Sequence, residues 1–230
     1  YGEVATNIEK LNIFYEAAGL KKGSKIALCA KNSARWGIVF FSANVAGAII
    51  VPLLPEFPPE AVANLTDHSE SEILFADDDI FAKVNVEKMP LIKAVISCRS
   101  FKILYAKDDI YQQAMDSVSE KFAAKYPLGF TAANITYPTD KVKEICLINY
   151  TSGTTSAPKG VMLRYESISS NVIFGQVNLP LVKGDKILSI LPMAHMFGMM
   201  FEFIYPVCSG ATRYYLGKTP TASVLLSSLQ

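Results

Sequence analysis

Apolar and polar positions alternate along this chain in two rhythms, one of 3 to 4 residues and one of short unbroken runs. Val4, Ile8, Leu11, Tyr15 and Ala18 recur at helical spacing, with Glu3, Asn7, Lys10 and Glu16 elsewhere on the wheel, so a helix opens the chain and Gly19 stops it. Lys25-Ile26-Ala27-Leu28-Cys29-Ala30 then predicts a buried strand. Asn32 and Ser33 are placed to cap a helix through about Ala46, apolar on nearly every face. Strand Ile49 to Leu53, helix Glu60 to Asp67 behind Pro58-Pro59, and strand Ile73 to Ala76 follow. Helices and strands that alternate with short connections define an α/β fold around a parallel sheet with flanking helices.

The rhythm loosens after a strand at Ile92 to Ser97. Asp108-Asp109 opens a helix with Tyr111, Ala114, Met115, Val118 and Phe122 on one side, halted at Pro127. Gly129 to Asp140 has no firm period and reads as a seam, which divides the chain into a first α/β unit over 1–130 and the start of a second over 141–230. The second unit runs strand Ile145 to Tyr150, a polar loop ahead of a strand-like Val161-Met162-Leu163, helix Tyr165 to Val177, strands Ile187 to Leu191 and Ala211 to Tyr215, and a helix Ser223 to Leu229.

Composition narrows the classes. At 230 residues the chain is long enough to bury a core without staples, and 22 basic against 21 acidic side chains argue against a nucleic-acid binder. Cys29, Cys98, Cys146 and Cys208 form no close pair and read as buried thiols of a reduced, cytoplasmic protein. The first residues read as helix rather than as a secretory leader. With His68 and His195 its only histidines, the chain is poorly supplied for a zinc site. Trp36 to Pro55 and the stretch Ile187 to Thr212, whose one formal charge is Glu202, are apolar enough to raise the question of a membrane span. Internal Gly47, Pro52, Pro192, Gly198 and Pro206 break both into soluble helix-then-strand segments.

One segment demands a chemical explanation. Five of the six residues Thr151-Ser152-Gly153-Thr154-Thr155-Ser156 carry hydroxyls, the sixth is glycine, and Lys159 follows three positions on; the segment leaves the end of an apolar strand, where α/β folds place ligands. Hydroxyls and free N–H groups donate to phosphate oxygens, Gly153 admits close backbone approach, and Lys159 adds a cation. Charge-assisted bonds of roughly 1.5–3 kcal/mol each suffice together to hold a triphosphate. The Walker pattern fails, since Pro158 and Gly160 stand where glycine and a hydroxyl are required. Against this stands the plain alternative of a polar surface turn. Asp77-Asp78-Asp79 reads as a solvated turn, His68 as a solvated or capping side chain, and Cys146 as packing.

Tyr150 to Val161 resembles the phosphate-loop signature of the adenylate-forming enzymes, the family of acyl-CoA synthetases, firefly-type luciferases and nonribosomal adenylation domains; Ser156 replaces the usual glycine. The likeness extends through Asn32-Ser33-Ala34-Arg35-Trp36, the Gly47 to Pro52 turn, and Leu191-Pro192-Met193-Ala194-His195-Met196-Phe197-Gly198, a form nearest to long-chain fatty-acid–CoA ligases. Arg164-Tyr165 departs from the Ser/Thr-His usual at the following helix start.

The resemblance implies ATP- and Mg²⁺-dependent activation of a carboxylic acid, in the first place a fatty acid, to an acyl-adenylate, and then transfer to coenzyme A. It implies that Thr151, Ser152, Gly153, Thr154, Thr155, Ser156 and Lys159 hold the phosphates, with Lys159 and Thr155 catalytic and Thr151 a contact for the metal. His195 and Phe197 would then lie beside the substrate, with Met196 and Met199 on apolar walls. At His195 the alternative is a core histidine satisfied by a backbone carbonyl. Peripheral membrane association and contacts with further chain are implied for a longer protein. The family's adenine, ribose and C-terminal motifs do not occur here, so the chain reads as an N-terminal piece without synthetase activity of its own. The competing readings are an adenylating enzyme that loads a carrier protein, and a non-catalytic phosphate-binding module.

Overall fold

The computed structural model describes residues 1–136, 142–151, 158–217 and 220–228. Its centre is a seven-stranded sheet in the order β5-β4-β3-β1-β2-β6-β7. The strands are β1 (Lys25–Cys29), β2 (Ile49–Leu53), β3 (Ser71–Ala76), β4 (Ala94–Ser97), β5 (Ile103–Ala106), β6 (Ile145–Thr151) and β7 (Lys159–Arg164). The five inner strands run parallel, and β5 and β7 close the two edges antiparallel. The mixed α/β class with a mostly parallel sheet is therefore as the patterning implies.

Side chains of successive strand residues point to opposite faces, and both faces are covered, which is why the inner strands are apolar at nearly every position. Ile26, Leu28, Ile50, Phe75 and Leu147 pack into one core with helices α1 (Gly2–Ala17), α2 (Ala34–Val45) and α5 (Asp109–Lys125). Ala27, Cys29, Val51, Leu74 and Ile148 pack into the other, against α3 (Pro59–His68). The helix starts follow from capping. Ser33 accepts the Trp36 N–H, and Asp108 accepts the Ile110 N–H at the head of α5. A four-residue α4 (Asp78–Phe81) follows β3.

Beyond the seam read at Gly129 to Asp140, β6 pairs with β2 and β7 with β6, so residues on both sides of that seam share one sheet. Helix α6 (Tyr165–Asn178) follows β7, and a second sheet of two parallel strands, β8 (Lys186–Ser189) and β9 (Thr212–Tyr215), stands apart. Between those strands the chain becomes helical from residue 196. A π-helical run, Gly198–Ile204, passes into α7 (Tyr205–Cys208), and α8 (Ala222–Ser228) comes last. Phe203 on the π-helical run meets Trp36 edge-on at 5.5 Å and packs over Gly37, which fastens this segment to α2. Among the described residues no helix is long and apolar enough to cross a membrane.

Two readings need correction. Asp77 is not a solvated carboxylate but is 4% exposed. It accepts the Lys31 N–H at 3.0 Å and faces the Arg99 guanidinium at 3.5 Å, tying together the carboxyl ends of β1 and β3. All four cysteines are free, yet only Cys29, Cys98 and Cys146 are buried, and Cys208 is exposed.

Candidate functional site

The site forms at the carboxyl end of β6, the edge on which β1, β2 and β3 also end. β6 and β7 make a hairpin in which Thr151 stands opposite Lys159 and Tyr150 opposite Gly160. Thr151 and Lys159 are both exposed at its open end. Ser152, Gly153, Thr154, Thr155 and Ser156, the hydroxyl-rich connection itself, lie outside the described residues. Gly160 has a steric reason: a β-carbon there would come within 3.0 Å of Ile148 Cγ2, and the Tyr150 ring lies at 3.4 Å.

Tyr150 is held by α3, which covers the same face of the sheet. Its hydroxyl lies 2.7 Å from His68 Nδ1 at the end of α3, with the two rings edge-to-face at 5.7 Å. Burial raises the Tyr150 phenol above its ordinary value, so it stays protonated and fit to donate. His68 is thus a partner of the loop stem rather than a merely solvated side chain.

The segment 191–198 is a tight turn built from main-chain bonds. The His195 N–H donates to Pro192 O at 3.0 Å, and the Met199 N–H donates to His195 O at 2.8 Å. Glu202, the lone charge of the long apolar stretch, folds back on it. One carboxylate oxygen accepts the Ile190 and Leu191 N–H groups at 2.8 and 2.9 Å and the Ser189 hydroxyl at 3.1 Å. His195 is exposed, and its Nδ1 accepts the Phe197 N–H at 3.3 Å. The side chain is therefore not consumed in the core by a backbone carbonyl. Met199 is fully buried and Met196 partly so, whereas Phe197 is 55% exposed and leans on Phe201 at 5.0 Å.

Two asparagines join this turn to the rest of the site. Asn149, 8% exposed on β6, donates its amide to Ala194 O at 3.0 Å. Asn32 donates to Leu191 O at 2.7 Å and accepts the Met193 N–H at 2.8 Å. The structure thus links the stem residues of the phosphate loop and the His195 turn into one unit. The one signal of Asn149 in the sequence is an amide in an otherwise apolar strand, and a buried polar side chain is the informative kind of anomaly. Burial pushes the thiols of Cys29, Cys98 and Cys146 up to about 12, so none supplies a thiolate nucleophile. No cluster of three or more His, Cys, Asp or Glu side chains is placed to bind a metal ion among the described residues.

A mostly parallel sheet with a hydroxyl-rich connection leaving the end of β6 is the N-terminal-domain architecture of the adenylate-forming enzymes. Solved structures share it. An inhibitor-bound N-terminal domain of FACL13 from Mycobacterium tuberculosis superposes with a TM-score of 0.75 at 21% identity, covering 99% of this chain and 52% of that one. ATP-bound MatB from Rhodopseudomonas palustris gives 0.74 at 17% identity, covering 100% and 42%. The chain belongs to the AMP-binding enzyme family, which matches it over residues 1–230. Among curated relatives, long chain acyl-CoA synthetase 5 of Arabidopsis thaliana is 29% identical over 226 residues, 94% of this chain and 33% of the relative. A long-chain-fatty-acid–CoA ligase of Bacillus subtilis is 25% identical over 95% of this chain and 41% of its own length. The chain spans about a third of the length of the first of these relatives.

Proposed function

We propose that this chain supplies the phosphate-gripping part of an enzyme that activates a carboxylic acid with ATP and passes the acyl group to coenzyme A, a fatty acid being the substrate class favoured by its relatives. The observation that carries the reading is the β6–β7 hairpin, which sets Thr151 against Lys159 across the signature loop and ties that stem to the His195 turn.

The chemistry follows from the residues. As the carboxylate attacks the α-phosphorus, negative charge gathers on the departing pyrophosphate. The loop hydroxyls, Thr155 among them, and Lys159 would meet that charge with donors already in place. Bound Mg²⁺ would supply neutralisation across the phosphate oxygens, and Thr151, exposed at the end of β6, offers it a hydroxyl. The exposed imidazole of His195, oriented by its own turn, is free to hold the incoming carboxylate, while Phe197 presents an apolar ring beside it.

The test is ATP–pyrophosphate exchange by the full-length protein with acids of increasing length. Lys159→Ala should lower the exchange rate on the order of 10²–10³-fold, the scale of losing one preorganised donor. Exchange unchanged by Lys159→Ala would show that Lys159 takes no part in the chemistry, and absence of exchange in the wild type would favour a non-catalytic phosphate-binding module. A second reading is the loading of a carrier-protein thiol; the chain is also similar to tyrocidine synthase 3 of Brevibacillus parabrevis, 25% identical over 92% of this chain and 3% of that protein. Product analysis with coenzyme A and with a carrier protein as acceptors separates the two.

A further inference from the structure

We infer that Asn149 and Asn32 are positioning residues for His195, holding the imidazole turn on the stem of the phosphate loop so that both act in a single frame. The inference rests on the reading above, in which His195 works beside the substrate carboxylate.

Three main-chain groups in four consecutive residues are taken by these two amides: Leu191 O and the Met193 N–H by Asn32, and Ala194 O by Asn149. The two amides come from different elements. Asn32 lies just before α2, and Asn149 lies on β6, two residues ahead of Thr151. Any shift of the loop stem along β6 is therefore delivered to the carbonyl immediately before His195. Within the turn, the His195 N–H is bound to Pro192 O at 3.0 Å. The ring is bound as well: because Nδ1 accepts the Phe197 N–H at 3.3 Å, a neutral imidazole carries its proton on Nε2 and presents that edge outward.

Packing alone does not account for Asn149. A leucine would fill a similar space in a strand that also carries Leu147 and Ile148, without the penalty of dehydrating an amide. What the amide adds is direction, since a hydrogen bond fixes the carbonyl it meets and a methyl group does not. Small misplacements matter at such sites, where an error near 1 Å can cost on the order of 100-fold in rate.

The experiment uses full-length protein labelled with ¹⁵N-histidine, the His195→Gln spectrum identifying the His195 signal. In mildly alkaline buffer the wild type should show the Nε2–H tautomer at His195. Asn149→Ala should lose that single-tautomer pattern while its melting transition stays cooperative, and Asn149→Ser, which keeps a donor, should recover part of it. In exchange assays Asn149→Ala should lower kcat by roughly 10–100-fold with the KM for ATP within about twofold. The Asn149→Ala/His195→Gln double variant should be no slower than His195→Gln. An unaltered His195 tautomer in folded Asn149→Ala, or losses that multiply in the double variant, overturns the inference. If Asn149→Ala does not fold, Asn32→Ala carries the same measurements. Absence of exchange in the wild type would sink the proposed function instead, and the tautomer would still decide the positioning role.

Discussion

Gly198 lies against the carbonyl of Pro192: a β-carbon on Gly198 would sit 2.5 Å from that oxygen and 3.0 Å from Leu191 Cβ. The glycine is required by close approach rather than by backbone torsion, and the atom it would strike is main chain, which cannot swing aside. That same Pro192 oxygen accepts the His195 N–H. Gly198→Ala must therefore open the turn or displace the π-helical run that begins there. Overpacking of this kind costs about 1–3 kcal/mol, which in a chain of this size lowers the melting temperature by several degrees. Gly2→Ala is the control, since nothing lies within 4 Å of its added methyl. Equal melting temperatures for the two variants would contradict the geometry.

Much of this architecture is legible in the residues because the local signals agree with one another. Strand β2 runs over Ile49–Leu53 as its apolar run dictates, and Ser33 and Asp108 cap the helices they precede. Strand β5 was not legible: Ile103–Ala106 is short, half-buried at an edge, and reached through a turn in which Phe101 takes a left-handed φ of 58°. The bounds of the helical stretch 198–208 were not legible for the opposite reason, since it is apolar with no polar stripe to betray its period and carries Pro206. The loop signature is visible as residues. The braces around it are not, since the partners of Asn149, Asn32 and Tyr150 lie 45, 159 or more, and 82 positions away.

The contact between His68 and Tyr150 ties α3 to the strand that feeds the loop, with 2.7 Å between ring nitrogen and hydroxyl. Tyr150→Phe removes the hydroxyl and keeps the ring, so it isolates this bond. The expected cost is about 1 kcal/mol, typical of one net intramolecular hydrogen bond. His68→Leu should cost a similar amount. Because each change deletes the same interaction, the double variant should cost clearly less than the sum of the two. Urea unfolding of the four proteins closes the cycle, and strict additivity would show that the pair contributes nothing.

Acid is expected to weaken the fold through carboxylates on the amino-terminal side of the sheet. Glu70 meets Lys25 at 2.5 Å, and that hydrogen bond and charge hold Glu70 below its ordinary 4.5. For Glu72, burial pulls upward, but hydrogen bonds from Lys93 and Ser24 and the charges of Lys93 and Lys25 outweigh it, so its value also falls below 4.5. A carboxylate whose folded value is depressed binds protons more readily in the unfolded chain. Its contribution is therefore complete above about 4.5 and is lost as the pH falls through the lower folded values. Lys93→Met removes the 2.6 Å partner of Glu72 and leaves the burial, so the Glu72 value should rise from its depressed position. Melting temperature followed from neutral pH down to about 3 should then fall less steeply for Lys93→Met than for the wild type across the carboxylate range, from a lower starting point. Parallel curves for the two proteins would mean that the Glu72–Lys93 pair plays no part in acid unfolding.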